Sequence, residues 1–325
     1  MEIMAMKKMN RYLGWALMLV MATSCYDSYV KDYDYTAVFA AYQYDLRSFV
    51  AGEDASFQFQ VALGGVMKNT RDRRVTVEVD NSLLDGAVAK MSDKSLISGD
   101  YVTAALEEAG VTTLKPLPEG SFTLEGMDGL TILSGRHTAG ITVKATDALL
   151  QDPEAWKPGY AIAFKITGAD ADTVLQKKNY AVIAVKCENR YFGYWTRGGV
   201  RRSYDWAGNE VGEPDRETAS LADSRTYLLT SRSASEVSCN KVAGSTGQMT
   251  LRFDGNAVTV SSEDGTVSGT GEVDNGKVLQ ERVICLKYRI DRGSGAYDEV
   301  RDTLRFRNRI RDGISEWQDE LLHTR

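Results

Sequence analysis

Tyr191, Tyr194, Trp195, Tyr204 and Trp206 fall within sixteen residues of one another, interleaved with Arg197, Arg201, Arg202, Asp205 and Asn209. Rings of this kind stack on the C–H face of a pyranose, while neighbouring arginines, carboxylates and amides hydrogen-bond its hydroxyls. The candidate ligand-binding residues are Tyr194, Trp195, Tyr204, Trp206 and Arg197, joined by Trp156 in the loop Asp152-Pro153-Glu154-Ala155-Trp156-Lys157-Pro158. Packing is the competing reading for each. In a strand starting at Tyr191, Tyr191 and Trp195 share one face and Phe192 and Tyr194 the other, so one set belongs to a core. Trp206 sits in the turn-like Asp205-Trp206-Ala207-Gly208 and is expected to be exposed. Trp156 can equally plug a sandwich end, and Trp317 is expected to cap a barrel.

Other chemistry is thinly represented. Arg301, Arg305, Arg307, Arg309 and Arg311 lie at even spacings, so one regular strand would project all of them from one face. Such a face can grip carboxylated or sulfated sugars, or stand solvated and paired across to Asp or Glu. The only histidines are His137 and His323, and no nucleophile elbow, phosphate loop or histidine-rich metal motif occurs. Asp147, Asp152, Asp170 and Asp172 lack an ordered calcium-ligand spacing and read as turn carboxylates. No catalytic residue, metal or cofactor is assigned. Two carboxylates of a hydrolase meet only in space, so a cryptic glycoside hydrolase stays open as an alternative.

Charge and composition narrow the partners. A net charge of −6 with 43% apolar and 26% charged residues describes globular protein without the basic excess that nucleic acid requires. Cys187, Cys239 and Cys285 remain after Cys25 is set aside, and their spacing is not of metal type. A Cys239–Cys285 disulfide and buried free thiols are both compatible with the strand-like runs around them, and buried thiols are the favoured reading.

The elements that must position these residues read as strands. Thr36 to Tyr42, Ser56 to Leu63, Arg74 to Asp80, Gly140 to Ala145, Tyr160 to Thr167 and Asn179 to Cys187 are short runs, several alternating apolar and polar. They fit an Ig-like β-sandwich of about seven strands over residues 35–188, interrupted by a short helix from Gly99 to Gly110. From residue 189 to 313, longer runs are separated by Asp254-Gly255-Asn256, Glu263-Asp264-Gly265 and Asp274-Asn275-Gly276, which suit tight hairpins. Consecutive hairpins without helices predict an antiparallel meander that closes into a barrel-like sheet. Residues 314–325 read as a short helix or a tail.

The chain begins with Lys7, Lys8 and Arg11, then an apolar stretch from Tyr12 to Ala22, then Ala22-Thr23-Ser24-Cys25. That order reads as a lipoprotein signal peptide over residues 1–24 with Cys25 as the lipidated residue, followed by an acidic, tyrosine-rich tether over 25–34. Acyl chains contribute about 0.8 kcal/mol per buried methylene, so such an anchor holds a domain at a membrane without a spanning helix.

Tyr29-Val30-Lys31-Asp32-Tyr33-Asp34-Tyr35-Thr36-Ala37-Val38-Phe39, Phe164-Lys165-Ile166-Thr167-Gly168-Ala169-Asp170-Ala171-Asp172 and Asn179-Tyr180-Ala181-Val182-Ile183-Ala184-Val185-Lys186 resemble a domain of unknown function. That domain recurs near the N-terminus of gut Bacteroidota lipoproteins and of some endo-β-N-acetylglucosaminidases. Tyr191-Phe192-Gly193-Tyr194-Trp195, Asp205-Trp206-Ala207-Gly208 and Arg307-Asn308-Arg309-Ile310-Arg311-Asp312-Gly313 are similar to its companion C-terminal β domain. The resemblance implies a component of a glycan-utilisation system at the outer membrane, facing the cell surface beside a TonB-dependent transporter and its partner lipoprotein. Asp27, Asp32 and Asp34 are similar to the export signals of such lipoproteins. No glycosidase domain accompanies the pair here, so the expected role is non-catalytic glycan binding. The alternative from another class is a structural or adhesin-like interaction protein.

Overall fold

The computed structural model describes residues 35–217 and 225–317. Cys25 and the stretches assigned to signal peptide and tether lie outside the described residues. Among those described, no helix is long and apolar enough to cross a membrane.

The architecture is all-β. The first half contributes β1 (Ala37–Ala40), β2 (Tyr44–Ala51), β3 (Ser56–Gly64), β4 (Arg73–Val79), β5 (Lys115–Pro116), β6 (Phe122–Glu125), β7 (Thr131–Ile132), β8 (Thr138–Ala145), β9 (Tyr160–Ala169), β10 (Thr173–Val174) and β11 (Tyr180–Asn189). One sheet runs β10-β1-β3-β8-β6 and the other β2-β11-β9-β4-β7, with β5 added beside β9. Period-2 alternation builds the core between them: Phe57, Phe59 and Val61 face inward from β3, Gln58 and Gln60 outward. Phe59 stacks on Phe164 of the opposite sheet at 4.6 Å.

β2 was not legible as a strand. It pairs in parallel with β11 along its whole length, and Tyr44 and Leu46 face a second apolar layer. That layer is supplied by the helix Tyr101–Glu108, predicted from Gly99 to Gly110, whose Val102 and Leu106 are buried. Gly110, at φ +65°, ends the helix in a left-handed conformation that favours glycine.

The second half contributes β12 (Gly193–Tyr204), β13 (Asp215–Glu217), β14 (Thr226–Ser231), β15 (Glu236–Val242), β16 (Ser245–Asp254), β17 (Ala257–Ser261), β18 (Val267–Val273), β19 (Val283–Asp291), β20 (Tyr297–Arg311) and β21 (Ile314–Trp317). Neighbours pair antiparallel from β14 to β20, and β20 returns to β12, closing an eight-stranded up-and-down barrel. Eight strands leave an interior just wide enough for side chains, and Trp195, Leu229, Met249, Leu286, Leu304 and Phe306 fill it. Residues 314–317 form strand β21 rather than a helix or tail, because they pair with the long end of β20.

One charged pair sits inside this apolar barrel. Arg197 Nε donates to Asp302 Oδ1 at 2.8 Å, and Nη1 donates to Glu217 Oε2 at 2.8 Å. The other Asp302 oxygen accepts from Tyr288 at 2.7 Å and Tyr227 at 3.3 Å, and those hydroxyls accept the backbone N–H of Ala243 and Gly244. Burial is the first cause raising the pKa of both tyrosines, with the Asp302 charge second, so both stay protonated donors. Gly199 makes the pair possible: a Cβ there would lie 2.4 Å from Asp302 Oδ1.

A bulge redirects the end of β20. Trp195 pairs with Phe306 but Tyr194 with Asn308, so Arg307 is the extra residue and side-chain parity flips after it. The five evenly spaced arginines therefore do not share one face. Arg301 and Arg305 are exposed on the barrel wall, whereas Arg309 is buried and donates to Glu53 of the β2–β3 turn at 3.0 Å and to Glu316 at 2.6 Å. At the same junction Asn189 donates to the carbonyls of Ser233 and Ala234, tying β11 to the barrel.

Cys239 is buried on the barrel's inner face, while Cys285 is exposed on the outer one, so no disulfide joins them. The expectation of buried thiols holds for Cys187 and Cys239 and fails for Cys285, whose strand turns that position outward.

Asp302→Ala is expected to cost about 3–5 kcal/mol in denaturant unfolding, because Arg197 would remain buried without its partner. Replacing both by apolar residues, as in Arg197→Met with Asp302→Leu, should recover most of that loss. Asp312 at the junction is pushed up to about 6, mainly by burial. A raised carboxyl stabilises the fold below its unfolded value, near 4, and loses that contribution as pH rises through 6. The melting temperature of Asp312→Asn relative to the parent should therefore rise between pH 4 and pH 7.

Candidate functional site

The barrel separates the aromatic cluster that looked continuous in sequence. Trp195 is fully buried against Phe306, with its indole N–H on the Tyr191 carbonyl at 3.0 Å. Arg197 is equally buried and committed to Asp302. Both are thereby removed as ligand contacts, since alternation along β12 turns them into the barrel. Trp156 packs half-buried on the sandwich core, away from the barrel that carries the other candidates. Tyr194 is exposed at the junction end of β12, and Tyr204 and Trp206 lie at the far end.

The far end of the barrel is where recognition chemistry gathers. Trp206 is 80% exposed, on the turn that follows β12. Its backbone is held by Asp205, whose Oδ1 accepts the N–H of Ala207 at 2.9 Å and of Asn209 at 2.8 Å. The Asn209 side chain donates to the second Asp205 oxygen at 3.1 Å, and these bonds hold the carboxyl below its ordinary range. Gly295 lets the turn between β19 and β20 approach: a Cβ there would stand 3.4 Å from the Trp206 Cβ.

Beside this turn, Tyr204 and Tyr297 are cross-strand partners whose rings stack at 4.9 Å and 15°. The Arg289 guanidinium lies 3.6 Å from the Tyr297 ring centroid, a cation–π contact that braces the pair from the β19 side. Arg202, Glu299 and Arg289 are directly opposite one another on β12, β20 and β19, so they share the outer face with the tyrosines. Glu210 accepts from Arg202 at 2.7 Å and 3.0 Å. An exposed indole on a hydrogen-bonded turn thus stands next to a stacked tyrosine pair and a row of charged hydrogen-bonding groups. Sequence reasoning named Tyr204 and Trp206 but missed Tyr297 and Arg289, which lie more than eighty residues away and reach the site only through strand register.

At the junction end two exposed rings flank the buried Asn308. Tyr194, Asn308 and Trp317 are successive partners across β12, β20 and β21, with Tyr194 38% and Trp317 55% exposed. Trp317 therefore does not cap the barrel: the bulge turns its ring outward.

A family model for an N-terminal domain matches residues 29–173. Two of the three stretches that carried the resemblance of the first half fall within it. Among solved structures, a protein of unknown function from Bacteroides ovatus is similar at 20% identity and a TM-score of 0.64, over 88% of this chain and 98% of that one. The likeness shows a shared fold. An auxiliary nutrient binding protein from Bacteroides thetaiotaomicron aligns over 84% of this chain and 96% of its own, at 13% identity and a TM-score of 0.39. None of the curated proteins compared matches the chain.

Trp206→Ala should leave the unfolding free energy within about 0.5 kcal/mol of the parent, because the ring covers little of the barrel. Trp195→Ala should cost about 3–5 kcal/mol as a cavity opens in the interior. Chemical denaturation of the two variants distinguishes the exposed ring from the core ring.

Proposed function

We propose that this protein binds a glycan without cleaving it, through the far rim of the barrel, while a lipid on Cys25 holds it at the outer membrane. The observation that carries the reading is Trp206: an indole 80% exposed on a turn that Asp205 fixes. Its flat apolar face, with an N–H at one edge, is the kind of surface a sugar ring can stack on. A pyranose stacked on Trp206 would bring its hydroxyls to Arg202, Glu299 and Arg289. Stacking on a preformed platform limits the ordering cost of binding, which suits capture of a flexible oligosaccharide.

Support for the setting is of a different kind. The sequence resemblance to lipoproteins of glycan-utilisation systems favours a partner role beside a TonB-dependent transporter. A second reading, attachment to another protein, is favoured by the exposed rings of Tyr194 and Trp317 with Ile310 beside the edge strand β21.

A glycan array probed with the protein from Tyr26 onward, followed by calorimetry and a product assay on each hit, tests the proposal. The expected result is binding without cleavage that falls at least tenfold in Trp206→Ala and is unchanged in Trp156→Ala. Unchanged affinity in a folded Trp206→Ala variant would remove the rim as the site, and released product would replace capture by hydrolysis.

A further inference from the structure

Down the outer wall of the barrel from the rim, strand register lines up cations. Arg216 of β13, Val200 of β12, Arg301 of β20 and Lys287 of β19 are successive cross-strand partners, and Thr270 of β18 ends the row. Resting on the glycan-binding reading above, we propose that the glycan taken at the rim is acidic and that its sulfate or carboxylate group is held between Arg301 and Lys287.

Like charges directly opposite each other, with Cβ atoms about 5 Å apart, destabilise a pair of antiparallel strands. Arg301 and Lys287 stand in that relation, both exposed, and the exposed Arg216 lies beyond Val200 in the same row. The salt bridges nearby join Arg202 to Glu210 and Arg201 to Asp215; among the described residues none involves Arg301, Lys287 or Arg216. The excess survives a count of the whole wall. The outward positions of β13, β12, β20, β19 and β18 carry Arg202, Arg216, Lys287, Arg289, Arg301 and Arg305. Against these six cations stand Glu272, Asp291 and Glu299, with Glu210 bound to Arg202 as a fourth carboxylate. The wall is therefore positive on a chain whose net charge is −6.

Small side chains give an anion a seat. A groove of about 350 Å³ is lined by Arg301, Lys287 and Thr270 from the cationic row and by Thr303, Cys285 and Glu272 from the next. Its donors are a guanidinium, an ammonium and two hydroxyls, and the planar fork of Arg301 matches the paired oxygens of a sulfate or carboxylate. Glu272, on β18, repels an anion from that edge and biases it toward Arg301. The row lies four residues along β20 from Tyr297, roughly 13 Å. A glycan stacked at the rim reaches it along the wall, past Arg202, Glu299 and Arg289. An acidic group there would relieve the repulsion between Arg301 and Lys287, whereas a neutral sugar would leave it in place.

The test titrates the protein from Tyr26 onward, by anisotropy, with three fluorescein-labelled hexasaccharides: chondroitin sulfate, the same chondroitin desulfated, and neutral dextran. Saturable binding of an acidic probe is expected, at least tenfold tighter than dextran. Arg301→Gln and Lys287→Gln should each weaken it at least tenfold without lowering the melting temperature, since each removes one of two facing like charges. Lys144→Gln, the same charge change on β8 of the sandwich, should leave the affinity in place. Tighter binding of the sulfated probe assigns the group as sulfate, and equal binding of both acidic probes assigns it as carboxylate. No saturable binding of either acidic probe, dextran binding as tightly, or an equal loss in Lys144→Gln would each overturn the proposal. Loss in Arg301→Gln with unchanged affinity in Trp206→Ala would keep the anion site and remove the rim reading. Loss in Trp206→Ala alone would keep the rim and overturn the acidic substrate class.

Discussion

The return of β20 onto β12 is the constraint on which the second half depends. Until those two strands pair, the meander has two free edges and no enclosed interior. Once they pair, Trp195 meets Phe306, and Arg197 meets Asp302 in a space that only a glycine at 199 leaves open. A buried ion pair of this kind is weak evidence for net stability, since desolvation offsets much of the attraction. Its contribution here is register. A one-residue slip between β12 and β20 would turn Arg197 and Asp302 to opposite sides of the wall and strand a charge in the interior.

The same closure places the surface chemistry. With register fixed, Tyr204 falls opposite Tyr297, Arg202 opposite Glu299, and Arg289 comes alongside from β19. Turns at the barrel's far end then hold Trp206 above Gly295 on a frame with few ways to move. At the near end, one extra residue in β20 reverses which side chains face the sandwich. Arg309 becomes an anchor for Glu53 instead of another solvated arginine, so a local irregularity in one strand builds the contact between the two halves.

Legibility from sequence followed the range of the interactions. Period-2 runs and Asp-Gly turns announced most strands of both halves, because those signals are local. β2 stayed hidden: Asp45, Arg47 and Ser48 interrupt its apolar pattern, yet they serve the junction, where polar side chains are wanted. Trp206 was readable as exposed from its turn residues alone. Arg197 and Trp195 were misread as ligand contacts because the partners that bury them, Asp302 and Phe306, are over one hundred residues distant. Tyr297 and Arg289 carried no signal next to Trp206 for the same reason. The parity of the arginines after residue 307 depends on a bulge that no composition marks.

Titrating the protein from Tyr26 onward with an array-selected oligosaccharide, while following its tryptophan indole N–H resonances by NMR, tests the central claim most directly. The account predicts that the Trp206 resonance moves with saturation, while those of Trp195 and Trp156 stay in place. Movement of the Trp156 or Trp317 resonance with Trp206 unmoved would contradict it and relocate the site to the sandwich or the barrel's near end.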